Sequence, residues 1–229
     1  MTMKKLLLIS PLASKSLLGG DFQVKKAFLV LYTILVVGGI FFSGSASAAD
    51  WRFPVGLTYV HGFWNVADIF ENNLEKEGLP VEITAIPFGL SFHPYYLQSD
   101  DGPVRGEGIG IDIGPLMFIS VTGDVDRYFF NVPINLNLRY TSNPRANISL
   151  YVRGGVMYNI ASGDYVKGTT PGPFGAIGIE FLRQRRVGLG MEIAYDISKI
   201  EVEKKTSQTT SVTENVKPNG LMISIYVVF

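Results

Sequence analysis

The sequence predicts an all-β fold in which eight antiparallel strands close into an up-and-down transmembrane barrel, with a short amphipathic helix in the loop after the first strand. Three observations predict it. From residue 50 to the end, segments of about ten residues alternate apolar with small or polar side chains, and turn signals separate them. The second face of these segments is mostly Gly, Ala, Ser and Asn, which suits the crowded interior of a narrow barrel, while the continuous aliphatic and aromatic face suits lipid. A soluble barrel of the lipocalin type would reverse this, apolar inside and charged outside. The composition agrees: 25 glycines and 15 phenylalanines lean toward β-structure with tight turns, in a length suited to one domain.

Composition also excludes several classes. With 47% hydrophobic and 17% charged residues, the chain is too apolar for disorder or a basic nucleic-acid surface. Zero cysteines removes disulfides, thiol catalysis and cysteine metal sites.

The first element is an export signal. Lys25-Lys26 precedes an apolar run from Ala27 to Phe42, shorter than a spanning helix, and Ala46-Ser47-Ala48 fits the small-x-small cleavage pattern. Cleavage is expected after Ala48 or Ala49. Residues 1–49 are thus a leader, with 24–49 the signal proper, and 50–229 a single domain. Met1–Gln23 makes an unusually long preface, so Val24 is expected to be the start, encoded by GTG. Removing residues 1–49 takes away five basic residues and Asp21, leaving 15 basic and 19 acidic in a mildly acidic mature chain.

Strands are expected near 51–61, 80–93, 106–120, 127–141, 147–161, 173–183, 187–202 and 219–229. The clearest is Asn131–Tyr140, with apolar even positions and Asn, Pro, Asn, Asn and Arg at the odd ones. The turn Thr141-Ser142-Asn143-Pro144-Arg145 joins it to the next strand as a hairpin. Between the first two strands, Phe63, Val66, Ala67, Phe70 and Leu74 recur at helical spacing, with Gly78 placed to end the helix. That helix is expected to pack on the rim, the alternatives being a place at the membrane surface or a cap over the barrel mouth, with Tyr59 and Trp64 at the interface as aromatic girdles are.

The final segment places Leu221, Ile223, Ile225, Val227 and Phe229 at alternate positions and ends on the phenylalanine. Together with the signal and the strand count, this resembles the small eight-stranded outer-membrane β-barrel proteins of Gram-negative bacteria over residues 50–229, without selecting a subfamily. The resemblance implies that Ile223, Ile225, Val227 and Phe229 form the sorting signal read by the barrel-assembly machinery; Val227 stands where the family often has tyrosine. It implies periplasmic termini and the helix in the first extracellular loop. Outer loops then fall near 62–79, 121–126, 162–172 and 203–218, and periplasmic turns near 94–105, 142–146 and 183–186.

The inward positions hold Asp112, Arg139, Arg153, Glu180, Glu192 and Asp196, with Arg52 near the first strand's start. Unpaired charges there would cost several kcal/mol each, so a salt-bridge network filling the lumen is expected, with Asp112, Arg153 and Glu192 at one depth and Arg153 holding Glu180 or Glu192. Only two histidines exist, His61 and His93, at opposite ends of the barrel, which argues against a metal site. His61 with Asp164 and Ser162 could in principle form a hydrolase triad. Gly106, Gly108 and Gly110 alternate along a strand and do not open a helix, so they are close-packing positions and not a phosphate loop. Asn147-Ile148-Ser149 matches a glycosylation acceptor by chance. Thr206 to Thr213 is expected to be a flexible surface loop, flanked by Lys204, Lys205 and Lys217, which could touch lipopolysaccharide.

The expected function is an integral outer-membrane barrel with a plugged lumen and a structural or surface-recognition role through loops 62–79 and 203–218, with no catalytic group and no cofactor. The alternatives are a narrow channel or binding barrel for small or hydrophobic molecules, and a lipid-A acyl hydrolase or transferase. Expected partners are outer-membrane lipid, lipopolysaccharide, the assembly machinery and an extracellular partner of unknown kind, with no nucleic acid. A closed barrel satisfies its own edges, so a monomer is expected.

Overall fold

The structure, a computed structural model, describes residues 51–79, 83–97, 106–121, 127–144, 146–182 and 187–229. The leader with Val24, Ala48 and Ala49 lies outside these residues, as do the turn 183–186 and the outer-loop residues 122–126.

Eight antiparallel staves form the wall. The first is β1 (Trp51–Arg52) with β2 (Pro54–Val60), and the second β3 (Ile83–Ile86), β4 (Phe88–Phe92) and β5 (Tyr95–Leu97). The third is β6 (Gly106–Ile113) with β7 (Met117–Val121), the fourth β8 (Tyr128–Thr141) and the fifth β9 (Ile148–Gly163). β10 (Val166–Thr170) and β11 (Gly172–Phe181) make the sixth, β12 (Gly188–Asp196) and β13 (Lys199–Lys205) the seventh, β14 (Ser211–Val216) and β15 (Leu221–Val228) the eighth. Each stave pairs with the next, and β15 pairs with β2, where Ile223 meets Tyr59, Ile225 meets Leu57 and Val227 meets Val55. Phe229 completes this seam by donating its N–H to the Phe53 carbonyl and accepting from Phe53 N–H. Closure pairs the last stave with the first, as a lipid setting requires of a sheet that must leave no free edge.

Alternation decides what faces where. Outward positions stay open: Leu138 is 69% exposed, Leu136 61% and Ile225 60%. Inward positions are buried and small wherever a large neighbour crosses the lumen. A Cβ on Gly178 would lie 2.2 Å from the Tyr151 hydroxyl, and one on Gly190 would lie 2.1 Å from a Tyr226 ring carbon. Those glycines admit the two tyrosines.

Three expectations need correction. The outer loops 162–172 and 203–218 are mostly strand, because β10, β13 and β14 form a second three-stranded sheet that carries three staves outward beyond the wall. Turns at Asp164-Tyr165 and Thr206–Thr210 link these strands, and the last three residues of the Thr206–Thr213 tract are strand, Ser211–Thr213 pairing with Glu203–Lys205. Polar cross-strand pairs hold this sheet, among them Lys204 Nζ to Glu214 Oε2 at 2.8 Å. In the expected periplasmic turn 94–105, Tyr95–Leu97 form β5 and pair with Gly108–Gly110 of β6.

The third correction concerns the helix, α1 (Phe63–Glu77). Its apolar stripe does not merely rest on the rim. Phe63, Val66, Phe70 and Leu74 are wholly buried, and the first three share one cluster with Met117, Ile119, Phe129, Ile200, Val202 and Met222 from the inner faces of several staves. α1 therefore fills the outer mouth. Gly78 ends it as expected, in the left-handed conformation at φ 72°, with its N–H donated to Glu75 and that of Leu79 to Leu74.

Candidate functional site: a filled lumen beneath a helical cap

The register of β8 and β9 sets Arg139 directly opposite Arg153 on the inner face. Two guanidiniums side by side repel, so each turns to carboxylates elsewhere in the lumen. Arg153, on β9, grips Glu192 of β12 with two bonds, Nε to Oε2 at 2.6 Å and Nη2 to Oε1 at 2.5 Å, and its Nη1 donates to Asp112 of β6. Asp112 also accepts from Asn135 (2.9 Å) and Asn137 (3.1 Å), and its other oxygen lies 3.2 Å from His93 Nδ1. Arg139 pairs with Glu180 of β11 at 2.8 Å and lies over the rings of Tyr95 and Tyr151, 3.9 and 3.6 Å from their centroids. Tyr95 donates to Glu180, Tyr151 donates to Glu192 at 2.8 Å, and Tyr151 and Tyr226 bond through their hydroxyls at 2.6 Å.

Asp112, Arg153 and Glu192 thus meet in one group, and Arg139 and Glu180 in a second linked to it through Tyr151. Arg153 holds Asp112 and Glu192, not Glu180. Asp196 joins neither group. Its carboxylate accepts from Ser198 N–H (2.9 Å), Ser198 Oγ and Asn219 Nδ2 (2.6 Å), within an amide cluster that includes Asn131 and Asn159. On β9, Met157 stands between the charged Arg153 and the amide level of Asn159. Sequence reasoning missed His93, Tyr95, Tyr151 and Tyr226 as members of the network. For Tyr151 the signal was available, since it shares the parity of Arg153 along β9.

The voids left among His93, Asp112, Arg153, Glu192 and Tyr226, and the adjoining one beneath Met157, measure about 10 Å³ each, room for no more than one water. Among the described residues, the paired side chains of Arg153, Asp112, Glu192, Arg139 and Glu180 occupy the lumen at this level.

Above it, α1 is tied down by side chains. β10 stops short of the end of β13, leaving backbone groups of β13 open on that side; Glu203 N–H still reaches Tyr165 O. Asn73 takes the missing strand's place: its Nδ2 donates to Glu203 O and its Oδ1 accepts from Lys205 N–H, both at 2.7 Å. Asn73→Ala leaves both groups unpaired in a half-buried setting, a cost of about 1–3 kcal/mol to the docked helix. The expected result is cleavage by trypsin after Lys76 at least tenfold faster than in wild type, with the barrel intact; an unchanged rate would show that Asn73 does not hold the cap.

Glu77 ends the helix in a second tie, accepting from Lys205 Nζ (2.8 Å) and Tyr165 Oη (2.8 Å), with Arg127 at 3.4 Å. Burial alone would raise the Glu77 carboxyl, but Lys205, Tyr165 and Arg127 together hold it below the usual carboxylate range. Burial, and next the Glu77 carboxylate, push the Tyr165 hydroxyl well above its ordinary value. Since Glu77 is depressed in the folded state, its stabilisation is complete above the ordinary glutamate pKa and is lost as pH falls through the lowered one. Trypsin is inactive in that range, so pepsin reports it: cap cleavage should accelerate below the normal carboxylate range in wild type, and Glu77→Gln should flatten that pH response.

Of the residues considered for a hydrolase triad, Asp164 accepts from Arg127 Nη1 (2.8 Å) and Tyr128 N–H (3.0 Å), and His61 Nδ1 lies 3.5 Å from Tyr59 Oη. Trp64 Nε1 donates to the same Tyr59 hydroxyl at 3.4 Å, which puts both aromatics at the outer rim. Among the described residues no three His, Cys, Asp or Glu side chains are grouped to hold a metal.

No protein-family model and no curated protein sequence matches the chain. Solved structures do. The chain is similar to the outer membrane protein OprG from Pseudomonas aeruginosa, at 12% identity over 79% of this chain and 95% of that one, TM-score 0.48. It is similar to outer membrane protein W of E. coli, at 14% identity over 80% and 99%, TM-score 0.44. It is also similar to Neisserial surface protein A, at 12% identity over 78% and 94%, TM-score 0.38.

Proposed function

We propose that this protein is an integral outer-membrane barrel of a Gram-negative envelope, sealed along its axis, with a structural or surface-recognition role carried by its outer sheet and cap. One observation carries the reading: a barrel whose outward positions are large apolar side chains left open, and whose inside is filled by paired charges beneath a docked helix. In water an apolar surface of that extent is untenable, whereas in lipid it is the required one. A filled interior suits a membrane element that works by what it presents outside. Lipid surrounds it, the assembly machinery recognises Ile223, Ile225, Val227 and Phe229, and it acts as a monomer without a catalytic group.

The rival reading, a barrel that binds or passes small or hydrophobic molecules, has one observation in its favour. β4 meets β6 through a single pair, Phe92 with Ile113, where Gly114-Pro115-Leu116 interrupts the third stave. Gly89 packs against Leu116 and Pro115 there, which keeps the seam shut.

The test is refolding of residues 50–229 in detergent. A compact band on unboiled gels that shifts on boiling, with no conductance steps in planar bilayers, is the expected result. Steady conductance steps would replace the sealed barrel with a channel, and a chain that stays folded and soluble without detergent would remove the membrane reading. Deleting Phe229 is expected to lower the yield of assembled barrel in cells while leaving refolding in detergent intact; equal yield would deny it a role in sorting.

A further inference from the structure

Most lysines of the outer sheet have an acidic partner. Lys167 pairs with Glu203 at 2.5 Å, Lys204 with Glu214 at 2.8 Å and Lys205 with Glu77 at 2.8 Å. Lys199 and Lys217 have no carboxylate within ion-pairing distance among the described residues. Their place is specific. Ile200 and Val216 form the first pair of the β13–β14 ladder and point inward, wholly buried and 6% exposed. The residues one step toward the barrel, Lys199 and Lys217, therefore face outward from adjacent staves, Lys199 exposed and Lys217 half-buried. Directly below them the apolar face resumes with Ile197, Tyr195 and Leu221, the last two paired across β12 and β15. Lys217 Nζ lies 5.8 Å from the centre of the Tyr195 ring, so its ammonium leans over the top of the apolar belt. The nearest acidic residue on the same outward row is Glu201, whose carboxyl leans toward Gly168 on the other side of β13.

We infer that Lys199 and Lys217, above Tyr195, form a binding site for the phosphorylated headgroup of an outer-leaflet lipid whose acyl chains lie on the belt below. Two adjacent ammonium groups without counter-charge attract a dianionic group, and apolar surface continuous beneath them suits chains attached to it. A free anion would use only the upper half of this surface. The inference rests on the envelope-barrel reading.

The test is native mass spectrometry of the folded barrel in dodecylmaltoside, titrated with bisphosphorylated lipid A and with dioleoylphosphatidylcholine. Wild type should retain lipid A at least about tenfold more tightly than phosphatidylcholine, as two near-surface lysines would provide. K199S/K217S should bring lipid A down to the phosphatidylcholine level, K199R/K217R should retain it, and K167S/K204S should bind as wild type. Dephosphorylated lipid A should bind weakly, and millimolar inorganic phosphate should not displace the lipid. Equal binding by K199S/K217S, an equal loss in K167S/K204S, or displacement by inorganic phosphate would overturn the site. Heat-modifiable bands run beside each variant separate the two readings: a wild-type chain that never forms the barrel sinks the envelope reading, whereas a folded K199S/K217S barrel with undiminished binding sinks the lipid site alone.

Discussion

Arg153→Leu is expected to lower the stability of the detergent-refolded barrel by about 3–5 kcal/mol, read as a fall in the urea midpoint of the heat-modifiable band. The size follows from what remains. Glu192 loses both bonds of a bidentate grip and Asp112 loses its guanidinium, and both carboxylates are at least 96% buried. Asn135, Asn137 and Tyr151 would still donate to them and His93 would stay 3.2 Å from Asp112, but these do not replace a guanidinium shared by two buried carboxylates. Arg153→Lys should recover little of the loss, since an ammonium cannot reproduce the planar fork. Arg139→Leu should act separately, through Glu180. A wild-type midpoint for Arg153→Leu would mean that the carboxylates are neutral or hydrated in the lumen.

Ile177→Arg carries the second large effect. Ile177 is 58% exposed on β11 and sits between Val152 of β9 and Ile193 of β12, both also open. If this face meets hydrocarbon, an arginine near mid-depth costs about 2–4 kcal/mol of folding free energy in a bilayer. If the face met water, the same change would fall within about 0.5 kcal/mol. Folding titrations in phospholipid vesicles distinguish the two, with Thr213→Arg on the outer sheet as a control expected to change little. A neutral Ile177→Arg would contradict the lipid-facing assignment.

Much of the wall was legible because parity is a local property. Once Ile148, Leu150 and Val152 are placed outward, Ser149, Tyr151 and Arg153 must point inward, whatever the rest of the chain does. Parity therefore put the lumen charges on the right face, including Asp196. It could not say which of them meet. The outer sheet was harder to see. Above Lys199 the outward residues are Glu201 and Glu203 facing water, so the apolar signal that marked the lower strands disappears although the strand continues to Lys205. The buried partners that would have shown it, Ile200, Val202 and Val216, are too few to stand out from a loop. The role of α1 was half legible: the helical spacing and Gly78 predict the element, but a stripe of Phe63, Val66 and Phe70 packs equally well on a rim or in a mouth.

What residue order alone could settle was the number of staves and their faces, because each follows from a repeat of two and a hydrophobic run. The contacts inside needed the folded barrel. The stagger of neighbouring strands converts positions far apart in the chain into common heights, which is how Arg139 comes to stand opposite Arg153 and how their repulsion sends one to Glu180 and the other to Glu192 and Asp112. Asp196, of the same type and parity as its fellows, lies past Met157 at another height, where amides and a hydroxyl take the place of a guanidinium. Asn73 completes the end of a strand 130 residues away, a pairing that exists only once α1 lies across the mouth.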